Sequence, residues 1–207
     1  MAITKAPLFS LDASGTLAGA IVFSKWKGRQ YVRRHAIPHN PKSGLQVGMR
    51  AGFKFTSQDY KNLSGAVVSH WKALSDPLAL TPLDVQQRYS QRNIRLGKGC
   101  IQDPTASAGT TPNAPTTGVA TALPKSLLLT WAHPGANPGN YTTMIWMSTT
   151  TGFTPSTATL VAVVSQATLT YTVRNLTTGT PYYFRVAETN TDGTIGAILA
   201  QFTGTPT

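Results

Sequence analysis

At 207 residues the chain has room for one large domain or two of about 100 residues each. It is 41% hydrophobic and 9% aromatic, which is ordinary for a folded protein, and no apolar stretch approaches the roughly 20 residues of a membrane span. Only 12% is charged, yet the net charge is +11, and it is unevenly placed: residues 1–104 hold fifteen Lys/Arg against five Asp/Glu, residues 105–207 three against two. Any partner drawn by charge is therefore drawn to the first half. The single cysteine, Cys100, excludes an intrachain disulfide and fits folding in a reducing cytoplasm. Residues 17–23 are too short and lack the basic lead of a secretory signal, so none is expected.

Residues 1–14 read as an arm or short first strand. Lys27-Gly28 then predicts a two-residue hairpin turn that sets Trp26 opposite Arg29, Lys25 opposite Gln30, Ser24 opposite Tyr31 and Phe23 opposite Val32. Alternation puts Ile21, Phe23 and Val32 on a core face. Trp26, Arg29, Tyr31 and Arg33 form an aromatic-basic face opposite. After Asn40-Pro41, Ser43 and Gln46 have the spacing of a capping box. Leu45, Met49 and Phe53 would form an apolar stripe on the helix that follows. Gly48 and Gly52 beside it would admit another element, and Arg50, Lys54 and Lys61 would form a basic stripe. Ser64 caps a second helix with Val67, Trp71 and Leu74 on one face, ended by Asp76-Pro77. Thr81-Pro82-Leu83-Asp84 starts a third, with Val85, Tyr89 and Leu96 on or near one face and Arg88, Arg92 and Arg95 on another; Gly97 and Gly99 close it.

The expected organisation is an α+β domain over 1–102, a small antiparallel sheet with two or three helices, followed by a Pro/Thr-rich linker at 103–117. Residues 118–207 follow as an all-β sandwich of seven short strands, with Asp192-Gly193 as the last hairpin turn.

Two resemblances follow from these residues. The order FSKWKGRQYVRR then NPKSGLQVGMR, within roughly residues 12–100, resembles a group of small virion or structural proteins encoded by tailed bacteriophages and prophages. That resemblance implies a virion context and no particular chemistry. Residues 113–205 resemble a fibronectin type III domain, an immunoglobulin-like spacer and adhesion module. Trp131 in LLLTWAHP falls at that family's core tryptophan. The run from Leu176 to Val186 follows its L-x-P-x-T-x-Y-x-F-R-V pattern, with Thr178 replacing the proline. The resemblance implies that Trp131, Leu176 and Tyr182 belong to the sandwich core, with the Tyr182 hydroxyl bonded to nearby backbone.

Catalytic and metal chemistry find little support. His35 and His39 are four apart, but Pro38 and Pro41 argue against a helix there and no Cys, Asp or Glu lies close to complete a site. The seven carboxylates are scattered, with Glu188 the one glutamate, and there is no phosphate-binding loop, dinucleotide fingerprint or G-x-S-x-G. No enzyme activity, cofactor or metal is expected.

The expected function is that of a bacteriophage virion structural protein, assembled in the host cytoplasm and held at the head or head–tail region by its basic first domain. The fibronectin-like domain would project as a decoration or fibre component. The expected assembly residues are Trp26, Lys27, Arg29, Tyr31, Arg33, Arg34, Arg50, Lys54, Arg88, Arg92 and Arg95. The expected partners are further copies of the chain, a dimer first, and other virion proteins, with weak host-glycan contact and no membrane. The alternative is a DNA-associated phage protein that meets phosphates through the same cations. A hydrolase accessory module is a third, weaker reading.

Overall fold

The computed structural model describes residues 3–4, 13–26, 29–37, 40, 42–106, 109–134 and 140–207. It divides into two compact units, Met1–Pro41 and Lys42–Thr207. The division expected at 103–117 is thus corrected: the helices fall in one unit with the sandwich, and the other unit holds the hairpin region.

In the first unit β1 (Ile3–Thr4), β2 (Ala13–Leu17), β3 (Ile21–Trp26) and β4 (Arg29–Arg34) form an antiparallel meander in sequence order. The β3–β4 register is the one the turn spacing predicts, with Trp26 opposite Arg29 and Phe23 opposite Val32. Lys27 and Gly28 themselves lie outside the described residues, as do Pro38, His39 and Pro41. Of the expected core face, only Phe23 is buried (4% exposed). Ile21 and Val32 are exposed at 38% and 48%. Phe23 sits in mid-sheet between Gly15 and Val32, whereas Ile21 pairs at the strand ends. Among the described residues the unit has no second layer to cover the rest.

The second unit has three layers. The sandwich pairs a three-stranded sheet with a larger one. The first is ordered β5 (Thr116–Leu123), β6 (Ser126–Ala132), β9 (Thr170–Arg174). The second is ordered β11 (Ile195–Ile198), β10 (Tyr182–Asn190), β7 (Asn140–Ser148), β8 (Leu160–Ser165), with β12 (Phe202–Gly204) also on β10. The last predicted strand is split into β11 and β12. Between the sheets lie Leu127, Leu129, Trp131, Ile145, Val173, Leu176, Tyr182, Phe184 and Val186. The expected core residues Trp131, Leu176 and Tyr182 are 4%, 7% and 8% exposed. The Tyr182 hydroxyl accepts from the Thr177 amide at 3.1 Å, tying the approach to β10 to the strand itself.

The third layer is α1 (Gly44–Asp59), α2 (Gly65–Ser75) and α3 (Pro82–Arg95). Side chains on the other face of the larger sheet, Tyr141, Met144, Trp146, Val163 and Ala187, pack with Phe55, Ile94 and Cys100. Two starts are as the sequence predicts. The Ser64 hydroxyl accepts from the Val67 amide, and Thr81 with Asp84 forms a reciprocal capping box. The third differs: Ser43 is the residue before α1 but makes no side-chain cap, so the Ser43/Gln46 capping box is corrected.

The helix faces also differ. On α1 the buried residues are Gly48, Gly52, Phe55 and Thr56, while Leu45 and Phe53 are 59% and 51% exposed. A Cβ on Gly48 would fall inside the Thr157 carbonyl oxygen, and one on Gly52 inside the Ile94 side chain. The two glycines are therefore the contact, and of the apolar stripe beside them Leu45 and Phe53 are turned outward while Met49 is half-buried against the core. On α3 the buried set is Val85, Gln86, Ser90 and Ile94, not Val85, Tyr89 and Leu96. Gln86 donates to the Ile101 carbonyl at 3.2 Å and Ser90 accepts from the Ile101 amide at 3.1 Å. That polar pair holds the outgoing chain. On α2, Trp71 is fully buried and donates to the Gln102 carbonyl at 2.7 Å.

Among its described residues, the segment expected to be a free linker is docked: Asp103 donates to the Thr191 carbonyl, Thr110 accepts from the Asn190 side chain, and Pro112 accepts from the Ala197 amide. Pro112 and Pro115 are buried. Proline costs an edge segment nothing where its missing N–H would face away, so Pro/Thr composition is compatible with pairing through carbonyls. Limited subtilisin digestion of the full chain should therefore first cut near the unit boundary at 41–42 and spare 103–117. An early cut within 103–117 that releases two resistant halves would contradict this docking.

Candidate functional site

The cations expected to bind partners fall into two groups, one in each unit. In the hairpin, Tyr31 is 41% exposed, and Arg33 and Arg34 are exposed. Arg34 pairs with Ile21 and therefore lies on the Phe23 face, opposite Tyr31 and Arg33. Trp26 and Arg29 occupy their predicted register positions, but their side chains, and Lys27 altogether, lie outside what is described. Beyond β3, β4 has no further partner strand among the described residues.

The second group is built on α1 and α3. These helices approach closely because Gly52 meets Ile94, and Gln87 donates to Ser57 at 2.8 Å across them. Outside this line of contact lies an open hollow lined by Met49, Leu78, Tyr89 and Leu96 together with Arg88, Arg92 and Arg95. A second, shallower hollow shares Met49 and Gln91 with it and adds Phe53, Arg50 and Lys54. Five of the expected assembly residues, Arg50, Lys54, Arg88, Arg92 and Arg95, therefore converge on one continuous groove. No carboxylate lines it. Of the acids nearby, Asp59 accepts from the Tyr141 hydroxyl at 2.6 Å, Asp84 caps α3 and Asp103 faces His70 at 2.9 Å, while Asp76, two residues before Leu78, is exposed.

Sequence reasoning found the cations and missed the apolar half of the groove. Leu45, Met49 and Phe53 read only as an apolar stripe, and Tyr89 and Leu96 only as residues on or near one face of α3. The signal that could have exposed this is the Gly48/Gly52 spacing. A helix can turn only one face to a close-packed neighbour, and glycines at i, i+4 mark that face.

Two buried polar clusters bear on catalysis. The Cys100 thiol is fully buried, and burial, reinforced by the Asp59 charge, pushes its pKa up to about 12. It is protonated and shielded at neutral pH, the opposite of a nucleophile. Tyr141 is raised by the same burial and by its bond to Asp59. The second cluster is a His–carboxylate pair that spacing does not reveal: His133 Nδ1 meets Glu188 Oε1, and His133 Nε2 donates to the Gln166 carbonyl at 2.5 Å. Glu188 is fully buried on β10, so the pair closes one end of the sandwich rather than opening into either hollow.

No family model matches the chain, and no curated protein does. Solved structures match the C-terminal half. The chicken CNTN1 FN1–FN3 domains are 18% identical over 46% of this chain and 32% of that one, with a TM-score of 0.40. The fn3 domain of the human collagen alpha-1(XX) chain is 18% identical over 49% of this chain and 90% of that one, with a TM-score of 0.38. A beta-1,2-glucanase from Parabacteroides distasonis is 18% identical over 50% of this chain and 14% of that one, with a TM-score of 0.42. The chain thus spans about a third of the CNTN1 structure and a smaller part of the glucanase. The likeness is one of fold: the C-terminal half resembles fibronectin type III domains.

Proposed function

We propose that the chain is a non-enzymatic structural protein of a bacteriophage virion, anchored at the head or head–tail region through its cations, with the fibronectin-like sandwich as a decoration or fibre component. The observation that carries this reading is the basic groove on the helical layer, where Arg88, Arg92 and Arg95 stand among exposed apolar side chains. Such mixed surfaces suit protein docking, because the apolar part gives affinity and the charges give orientation. The helices cover one face of the larger sheet. In this reading that side meets the particle and the β5–β6–β9 sheet faces outward, available for weak glycan contact. Self-association runs through the β4 edge and the Tyr31–Arg33 face of the hairpin, as a two-fold dimer. The sequence resemblance of residues 12–100 to phage structural proteins supports the setting.

The test is a count of the protein in purified particles. Arg88→Gln/Arg92→Gln/Arg95→Gln should reduce incorporation about tenfold while circular dichroism stays unchanged. Trp26→Ala/Tyr31→Ala should reduce self-association by light scattering. Wild-type incorporation of the arginine triple variant would overturn the anchor. A sequence-specific nanomolar complex with duplex DNA, falling steeply with salt, would replace it with the DNA-associated alternative.

A further inference from the structure

We propose that the α1–α3 groove takes an acidic amphipathic segment of another polypeptide, a helix that seats apolar anchors on Met49, Phe53, Tyr89 and Leu96 and sets carboxylates against the flanking arginines. The proposal rests on the anchoring role given to the groove above, and it names the chemistry of what is bound there.

Three observations select this occupant. The groove's large hydrophobics are exposed well beyond what isolated surface residues need: Phe53 51%, Leu78 51%, Leu96 66% and Tyr89 40%. Phe53 on α1 and Tyr89 on α3 line two adjacent helices, with Leu96 just past the end of α3 and Leu78 in the turn after α2, the geometry that receives a third helix through anchors at i, i+3, i+4 and i+7. Around them stand Lys54, Arg88, Arg92 and Arg95, with no acid in the lining. A partner there must be negative to gain rather than lose by approach.

A second copy of the chain does not meet that requirement. It carries +11, and it has seven carboxylates in all. Glu188 is fully buried, Asp59, Asp84 and Asp103 are engaged as described, and Asp192 is held by the Thr194 amide and hydroxyl. That leaves Asp76, which is exposed, and Asp12, which lies outside the described residues, too few carboxylates to form an acidic face. Nucleic acid satisfies the charge but not the floor: Met49, Leu78, Leu96 and the Phe53 edge offer no hydrogen bonds to phosphates or base edges. The groove therefore fits a protein segment that is both acidic and apolar.

The probe is a fluorescent synthetic helical peptide of about 18 residues, roughly five turns. It carries Leu and Phe at i, i+3, i+4 and i+7 spacing and Glu at the flanking positions. Fluorescence anisotropy with the full chain should give micromolar binding. Replacing the peptide's Glu by Gln should weaken binding about tenfold, and so should scrambling it to destroy the apolar stripe. On the protein, Phe53→Ser with Leu96→Ser should do the same. Both side chains are more than half exposed, so the fold is kept, which circular dichroism verifies. Failure of the parent peptide to bind would overturn the proposal. So would equal binding of the scrambled peptide, or equal binding by the Phe53/Leu96 variant. Full competition by a short DNA duplex, with a steep salt slope over roughly 50 to 200 mM, would assign the groove to phosphates instead. The particle count separates the two levels. Lost incorporation with no peptide binding leaves the anchor and removes this occupant. Peptide binding with wild-type incorporation leaves the occupant and removes the virion anchor.

Discussion

Trp131→Ala should lower the stability of the Lys42–Thr207 unit by about 3–5 kcal/mol, read from chemical denaturation of the full chain. The indole is 4% exposed between the two sheets, among Leu129, Ile145, Val173 and Phe184. Among the described residues its Nε1 has no hydrogen-bond partner, so the side chain acts as apolar volume, and its removal leaves a cavity without orphaning a polar group there. A loss of that size is a large share of the 5–15 kcal/mol typical of a domain. Trp131→Phe, which keeps much of the volume, should recover more than half of it. A loss below about 1 kcal/mol would mean that the sheets do not pack around this position.

Gly48→Val should cost about 3 kcal/mol or more, for the opposite reason. Here there is no space at all. A Cβ would overlap the Thr157 backbone carbonyl, with the Leu160 side chain next to it. Backbone cannot swing aside as a flexible side-chain end can, so α1 must lift from the loop before β8. Lifting it uncovers Phe55, Tyr141, Val163 and Cys100. The expected signature is a lower denaturation midpoint together with Cys100 becoming reactive to iodoacetamide in native buffer. Unchanged stability and a still protected thiol would show that the helices do not bear on the sandwich, and would restore residues 1–102 as a domain of their own.

What the sequence made legible was local. The β3–β4 register follows from a turn two residues long, and the capping of α3 follows from Thr81, Pro82 and Asp84 within four positions. Tyr182 and Trp131 were readable through the resemblance of their segments to fibronectin type III domains. Relations between distant segments were not readable. Nothing in Pro112 or Pro115 announces that the backbone around them lies against β10 and β11. Nothing in Gln86 or Ser90 marks a buried face, because their burial is justified only by the Ile101 backbone they bond. The stripe Leu45, Met49, Phe53 has the period of a core face. The rule that apolar means inside fails there because Gly48 and Gly52 pack more closely than any side chain could. The candidate site divides in the same way: its cations stood out in a chain that is only 12% charged, while its apolar floor lay in helix stripes that nothing local marks as facing outward.

The docking of α1 on β8 also sets a timetable for synthesis. The last residue of α1 is Asp59 and the first of β8 is Leu160, so about a hundred residues must be made between a helix and its seat. At a ribosomal pace of about 5–20 residues per second, α1 waits roughly 5–20 s with Phe55 and its glycine face uncovered. The strands that pair across the larger sheet come later still, β10 beginning at Tyr182. Once residue 104 is made, the nascent chain carries fifteen of its eighteen Lys/Arg and little of its final core. Mutual repulsion between neighbouring nascent chains on a polysome then works in its favour, keeping unfinished helices apart until the sheet arrives to receive them.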